Sequence, residues 1–359
     1  MNFGRLFIRL AIVAVWIFLF FALLTATHVM NPFKKEKEVL NIFSWPEVLS
    51  PEIIKKFEKE TGIVIKRHYY TSNEELLIKL KATQGAGYDL IIPSDYAVTK
   101  LTEENLLQPI DHSKLNFVEH LNPKLMRQPF DPENTYSIPF IWEVTGFGVN
   151  TDQFQILPFE PTWKEIFNPT HPDMKISMIN DPIEAIDMTA HHLFGVKKEL
   201  SSQDLALIQS TLYEQKPVIE AYAGVRGDYL LTTKNCSVAV IPSSYVMRAA
   251  KNCPHIDFII PEDYTFITIE NICIPKHSEK TELTYTFLNY LFQGDVLAEE
   301  TKIYHNFPAT TNAIPDDHAS PIYLKTLKAL ENYEGTYFYF RELFPEKDSR
   351  SLWVKLKSH

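Results

Sequence analysis

The sequence predicts two α/β lobes joined by at least two chain crossings, with a cleft between them. Three observations carry this expectation. From Glu38 onward, short apolar runs alternate with amphipathic helical patterns, the rhythm of βαβ units. At 359 residues the chain exceeds the usual size of one core, which favours two. Two extended runs, 136–150 and 270–275, lie far apart in sequence and are suited to carry the backbone out of the first lobe and back.

The elements follow in order. A buried strand over 39–43 ends at Trp45-Pro46-Glu47, where an aromatic ring stands beside a carboxylate at a proline-marked turn. A helix over 51–61 comes next: Ser50 caps its start, Ile53, Ile54 and Phe57 share one face, and Gly62 sits where a helix stops. A strand over 63–69, a helix over 73–82 and an apolar strand over 88–93 complete a βαβαβ series. This last strand runs into Ser94-Asp95-Tyr96, again a ring beside a carboxylate. Open α/β sheets bind ligands beyond the carboxyl ends of their strands, and aromatic faces with carboxylates attract organic cations. In the run 136–150, Gly146 and Gly148 stand where a crossing between lobes can flex. A second α/β series has strands over 175–180, 237–241 and 256–260, with helices over 183–194 and 203–214. After the return at 270–275, helices are expected over 281–292 and 296–303. There is no internal repeat and no low-complexity segment.

The first 36 residues stand apart. Arg5 and Arg9 precede an uncharged run over 10–33, which Lys34 and Lys35 close. A bilayer span needs about 20 apolar residues, so this run is long enough. It reads either as a cleaved export signal or as an uncleaved inner-membrane anchor with Arg5 and Arg9 on the cytoplasmic side. The lack of a small-x-small site near 25–27, and of a nearby cysteine for lipidation, favours the anchor. Either way the remainder is exported, and the bacterial periplasm is the expected compartment.

The formal charge is −10 and becomes more negative once the basic residues of the leading segment are set aside. That sign argues against nucleic acid and fits a cationic ligand, although ordinary solubility accounts for it too. Cys236, Cys253 and Cys273 make no disulfide framework and no Cys-x-x-Cys site. They read as small apolar core residues, with one pair able to join in an oxidising compartment. His191-His192 is not expected to hold a metal, because adjacent helical residues point to different faces. No metal or cofactor site is expected.

Five stretches in order, 43–47, 57–63, 88–94, 129–132 and 136–142, resemble the substrate-binding proteins of polyamine ABC importers of the spermidine/putrescine-binding type. The resemblance runs from near Leu40 to about Thr311. It implies a two-lobed type II periplasmic-binding-protein fold with mixed β-sheets flanked by helices, closing by hinge motion on a ligand that it hands to a membrane permease. It implies no enzyme and no cofactor. Lobe 1 is then 37–145 plus 270–315, and lobe 2 is 146–269 plus 316–359. The positions matching the family's ligand contacts are Trp45, Glu47, Ser94, Tyr96, Asp181, Glu184, Glu270 and Phe307. Putrescine or spermidine is protonated near neutral pH, and each ammonium drawn into a partly dry cleft needs an acceptor. Asp181 ends a strand and Glu184 lies three residues on in the next helix, so both can converge on one ammonium while Glu270 holds a second. Three positions depart from the family pattern: Pro242-Ser243-Ser244 and Thr268 stand where aromatics are usual, and Phe307 replaces a tyrosine.

Other readings stand beside this one. Asp181 before Pro182 is also a good helix cap, and Glu184 would complement the helix dipole. The aromatic-rich stretch 333–340 packs a terminal helix or reaches the cleft. A carboxylate-pair hydrolase using Asp181 and Glu184, or Glu270, is a second function class. Against it, there is no nucleophile elbow, His-Glu-x-x-His or Gly-rich phosphate loop. A third is a solute-binding or sensor protein that has drifted to another cation, kept open by the missing aromatics.

Overall fold

The computed structural model describes residues 4, 11–21, 38–154, 160–168, 173–196, 199–314 and 319–358. Residues 11–21 are helical; the rest of the apolar run, its basic flanks and the 25–27 segment lie outside the described residues. Among the described residues no helix is long and apolar enough to cross a membrane. Leu40–His359 form one compact unit, which contains both lobes.

In the first lobe, β1 (Val39–Ser44), β2 (Val64–Tyr69) and β3 (Leu90–Ile92) form a sheet in the order β2-β1-β3, with β1 and β3 parallel. Between β1 and β2, α1 (Pro51–Thr61) buries Ile53, Ile54 and Phe57. The Ser50 hydroxyl accepts from the Ile53 N–H, and Gly62 ends the helix at a φ of 76°, a left-handed conformation that glycine adopts at little cost. The helices α2 (Asn73–Thr83) and α3 (Asp95–Glu103) flank β3. Expected strand 88–93 pairs over only three residues because its end turns at once into α3.

The second sheet comprises β4 (Ile138–Asn150), β5 (Ile176–Met178), β6 (Ile219–Tyr222), β7 (Val238–Pro242), β8 (Ile256–Ile259), β9 (Tyr264–Ile272), β10 (Phe307–Pro308) and β11 (Thr336–Phe338). Its path is β11-β9-β4-β7-β5-β6, and β8 and β10 also pair with β4. It is mixed: β5 runs parallel to β6 and β7, while β4 is antiparallel to β7 and β9. The longer helices that follow are α4 (Pro182–Phe194), α5 (Ser202–Gln215), α6 (Ser243–Ala250), α7 (Thr281–Leu291), α8 (Gly294–Tyr304), α9 (Pro321–Glu331) and α10 (Glu346–Ser358), with short helices at Thr151–Phe154, Trp163–Phe167 and Gly227–Thr232. The chain returns to the first lobe at α7 and α8, whose apolar faces join the core under β1. There Glu300 accepts from the Ser50 N–H at 2.8 Å and from its hydroxyl at 2.7 Å, tying α8 to the start of α1.

The two crossings are β4 and β9, and they pair with each other. The sequence reading caught only the end of β9, because its alternation of Thr and aliphatic residues before Glu270 is shared between two faces. Along β4 the side chains change core at one step: Ile141 packs in the first lobe and Trp142 in the second. On β9 the same change falls between Ile269 and Ile272. The ladder begins at Ile138 opposite Ile272, shifts register between Pro139 and Ile141, and continues with Ile141 opposite Glu270 and Glu143 opposite Thr268. Proline donates no ladder hydrogen bond, which suits it to such an irregularity. Asp131 sets the entry to β4, accepting from the N–H groups of Thr135, Tyr136 and Ser137 and from the Ser137 hydroxyl. That clamp is the local work of the 129–132 stretch.

Gly146 and Gly148 are not flexible joints. Both lie inside β4 and pair with β7, Gly148 pairs with β8 as well, and they are small because of close packing. A Cβ on Gly146 would stand 2.7 Å from the Ile259 carbonyl oxygen, and one on Gly148 would stand 2.7 Å from a Leu231 methyl. Overpacking a buried site costs about 1–3 kcal/mol. Gly146→Ala should therefore lower the thermal midpoint of the purified protein, since a backbone carbonyl cannot rotate away. An unchanged midpoint would show that β4 shifts freely here.

Candidate functional site

The site is built where β1, β3, β9 and α4 end around the seam between cores. Trp45 follows β1 and leans on Tyr70, with ring centroids 4.7 Å apart. Tyr70 is itself fixed: its hydroxyl donates to the Ile92 carbonyl at 2.5 Å, and Phe43 meets it edge-on at 5.0 Å. The indole therefore stands on a rigid base and only its outer part is open.

Ser94 occupies the cap position of α3, yet its hydroxyl caps nothing. It donates instead to Glu270 Oε1 at 2.9 Å, across an antiparallel bridge between the two residues. Glu270 Oε2 is buried without a hydrogen bond of normal geometry. The Trp45 indole N–H is likewise unpartnered, though it lies close enough to favour the Glu270 charge. On the facing strand, Glu143 accepts from the Ser244 hydroxyl at 2.5 Å. Asp95 is nearly sealed and accepts from the N–H groups of Tyr96 at 2.7 Å and Ile269 at 3.1 Å. That pair of bonds pins α3 to β9.

Asp181 caps α4, as its cap reading anticipated. Both capping bonds, from Ile183 N–H at 2.8 Å and Glu184 N–H at 3.1 Å, fall on Oδ1, so the cap leaves Oδ2 over. The capping and ligand-binding readings are therefore compatible. Tyr96 reaches Glu74 with its hydroxyl, 3.5 Å from Oε1.

These acids sit close together in a poorly solvated place, and their protonation shows it. Desolvation raises the Glu184 carboxyl well above its ordinary range, helped by the charges of Asp181, Glu143 and Asp95. Glu270 is also raised well above its ordinary range by desolvation, against the Ser94 hydrogen bond, with Asp95 and Glu143 adding to the rise. Asp181 and Glu143 are raised as well, mainly by burial. Asp95 is pushed up to about 7 by burial, against its two backbone hydrogen bonds. The arrangement suits cations: positive charge brought among these groups would draw their protons off and satisfy them.

Two cavities share Trp45 and Thr268. The inner one, about 180 Å³, is lined by Ser94, Tyr96, Asp181 and Glu184, together with Glu74, Asp95 and Phe340. The outer one, about 440 Å³, is lined by Glu47, Glu143 and Glu270, with Trp142, Tyr245, Arg248 and Tyr304 among its walls. Thr268 and Ser244, at or beside the positions where aromatics are missing, open onto this space. Seven of the eight residues singled out in the sequence line one cavity or both. Glu47 does so with its carboxylate engaged by Arg248, 3.2 Å away. Phe307 does not: it is fully buried, 5.2 Å from Trp142 and 5.3 Å from Tyr323 between ring centroids, and supports Trp142 from behind.

The reading of the sequence missed Glu143, Tyr245 and Arg248, while Phe340 brings the end of the aromatic stretch 333–340 to the cleft, one of the two readings given for it. Glu143 was visible as the lone charge in an apolar run. Phe340 stacks on Phe266 at 4.6 Å with planes 2° apart, and the 336–338 strand beside β9 delivers it, a pairing without local signal. His191 turns inward to Asp187 and Arg341, while His192 stacks on Phe167 at 4.7 Å. No group of metal-ligating side chains occurs among the described residues. All three cysteines are free, Cys236 and Cys273 fully buried.

A family profile described as bacterial extracellular solute-binding protein matches residues 52–326. The chain is 29% identical over 264 residues to the spermidine/putrescine-binding periplasmic protein of Escherichia coli, covering 73% of this chain and 74% of that protein. It is 28% identical over 353 residues to the putrescine-binding periplasmic protein SpuD of Pseudomonas aeruginosa, covering 90% and 93%. In three dimensions it is similar to the spermidine/putrescine ABC transporter substrate-binding protein PotD of Streptococcus pneumoniae. That match has a TM-score of 0.76 at 22% identity and covers 90% of this chain and 99% of the other, a likeness of fold.

The raised carboxyls have a consequence for stability. Asp95 and Glu300 are both pushed up to about 7 by burial, so between their ordinary values and about 7 the folded state keeps protons that the unfolded chain has lost. Their contribution is therefore intact at low pH and declines as pH rises towards about 7. In urea titrations of the ligand-free protein, the midpoint should fall from about pH 5 to pH 8, and Asp95→Asn should flatten the slope. A midpoint that climbs over that range would show these groups to be ionised without penalty.

Proposed function

The chain belongs to the bacterial extracellular solute-binding protein family, and from that premise we propose that it captures a protonated polyamine in its cleft for delivery to the permease of an ABC importer. Putrescine and spermidine are the candidate ligands. Family membership makes it a binding protein rather than a hydrolase. The observation that carries the ligand reading is the buried, unpartnered Oε2 of Glu270 beside the other raised carboxyls. An unpaired polar atom in that position calls for a donor, and an ammonium supplies both the hydrogen bond and the charge.

In this reading Asp181 and Glu184 take one ammonium at the inner cavity and Glu270, steered by Ser94, takes the other. Trp45 and Tyr96 cover the methylene chain. Phe307 acts through Trp142 and not by contact. The lobes are drawn at 37–145 with 270–315, and 146–269 with 316–359. Separate apolar clusters follow that division in outline and depart from it at Leu125, Trp142 and Phe307, which it assigns to the first lobe but which pack with residues of the second. The protein works in the bacterial periplasm, and residues 1–36 serve as export signal or inner-membrane anchor, as the apolar run between Arg9 and Lys34 suggests.

A polyamine at about 100 times its dissociation constant should stabilise the protein by roughly 2.7 kcal/mol, read as a rise in melting temperature. No rise with putrescine, spermidine or spermine would reject the proposal. Glu270→Gln and Asp181→Asn should each weaken binding by about tenfold or more, the loss of one charge-assisted contact. Asp95→Asn should weaken it far less, because that carboxylate serves backbone N–H groups. Since the raised carboxyls must ionise to hold a cation, binding should release protons near neutral pH and tighten as pH rises. Calorimetry in buffers of different ionisation enthalpy reads this directly; proton uptake on binding would contradict it.

A further inference from the structure

We infer that Arg248 sets the length of ligand the cleft accepts, so that a diamine is preferred over a triamine or tetra-amine. The inference rests on the polyamine reading above and names the ligand class within it. Arg248 projects from α6 in the second lobe and lines the outer cavity. Its Nη1 stands 3.2 Å from Glu47 Oε2 in the first lobe, and its Nη2 3.5 Å from Asp228 Oδ2. Its guanidinium carbon lies 4.7 Å from the centre of the Tyr245 ring.

Three things follow for the outer half of the cleft. Glu47, the outermost carboxylate of the expected ligand set, already has a cation of the protein's own. The Tyr245 face, which would otherwise cover a methylene chain, carries a guanidinium. A permanent positive charge stands where a third ammonium would have to pass, since arginine does not deprotonate in proteins. Among the described residues, and apart from Asp95, the cavity acids without an ion pair to lysine or arginine form two groups, Asp181 and Glu184 with Glu74 inside and Glu270 with Glu143 at the seam, one group for each of two amines. A longer polyamine has to displace Arg248 from Glu47 or lie beside it. Discrimination of this kind works through a repulsive element placed against the wrong ligand.

The pair is exposed, with 48% of the Arg248 side chain and 59% of that of Glu47 open, so it is individually weak. Its effect is therefore on the ratio between ligands. Like charges several ångströms apart at a protein surface correspond to about a tenfold ratio in affinity. Dissociation constants for putrescine, spermidine and spermine, measured by calorimetry on the wild type, Arg248→Gln and Arg248→Lys, test it. The wild type should bind the diamine about tenfold tighter than the triamine. Arg248→Gln should tighten the triamine more than the diamine and so erase that gap, and Arg248→Lys should keep most of it. An equal gap in Arg248→Gln would overturn the inference, as would a wild type that binds spermidine as tightly as putrescine, a result needing no variant. A wild type that binds none of the three would instead remove the polyamine reading itself.

Discussion

The antiparallel pairing of β4 with β9 is the constraint on which the rest of the molecule depends. Both strands leave one apolar core and enter the other at matched positions, Ile141 to Trp142 on β4 and Ile269 to Ile272 on β9. Because side chains alternate across a strand, residues 141 and 143 share a face with 268 and 270 at the change of core. That shared face is the floor of the cleft. The same ladder that joins the lobes therefore places Glu143 and Glu270 where neither core covers them.

Around that floor the protein gathers carboxyl groups faster than it supplies cations for them. Desolvation and mutual repulsion make the ionised set unfavourable and raise the carboxyls of Glu184 and Glu270 well above their ordinary range. Such a site is costly to stability and useful to binding, because a polycation relieves both terms at once. The structural acids differ in kind. Asp131 and Asp95 spend their oxygens on backbone N–H groups, and Glu300 ties two helices through Ser50. Their carboxyls are buried too, so burial alone does not mark a ligand acceptor; an oxygen left over does.

Much of the fold was legible in order. The cap at Ser50, the stop at Gly62 and the apolar face of α1 are local signals, and local geometry obeys them. The elements that escaped notice have other causes. The helix α3 opens on a residue whose hydroxyl is diverted to Glu270, and the strand 336–338 is defined by its partner 264–266 and not by its own pattern. The two glycines of β4 invited a reading as joints because a glycine's freedom is visible in sequence. The reason for their presence, a carbonyl and a methyl each 2.7 Å from the missing Cβ, lies on segments about 80 to 110 residues away.

By itself the sequence determined the family, the α/β rhythm and seven residues that line the cavities, because each belongs to a strand end or helix start whose chemistry is written within a few neighbours. Only the tertiary structure decided which of those carboxylates are free. Glu47 looks as available as Glu270 in the linear chain, yet Arg248, two hundred residues on, lies against Glu47, while Glu270 keeps an oxygen with no partner. Phe307 likewise reads as a rim aromatic until Tyr323 and Trp142 enclose it. Electrostatic and packing partners act through space at a few ångströms, and no local pattern records which distant side chain will occupy that distance.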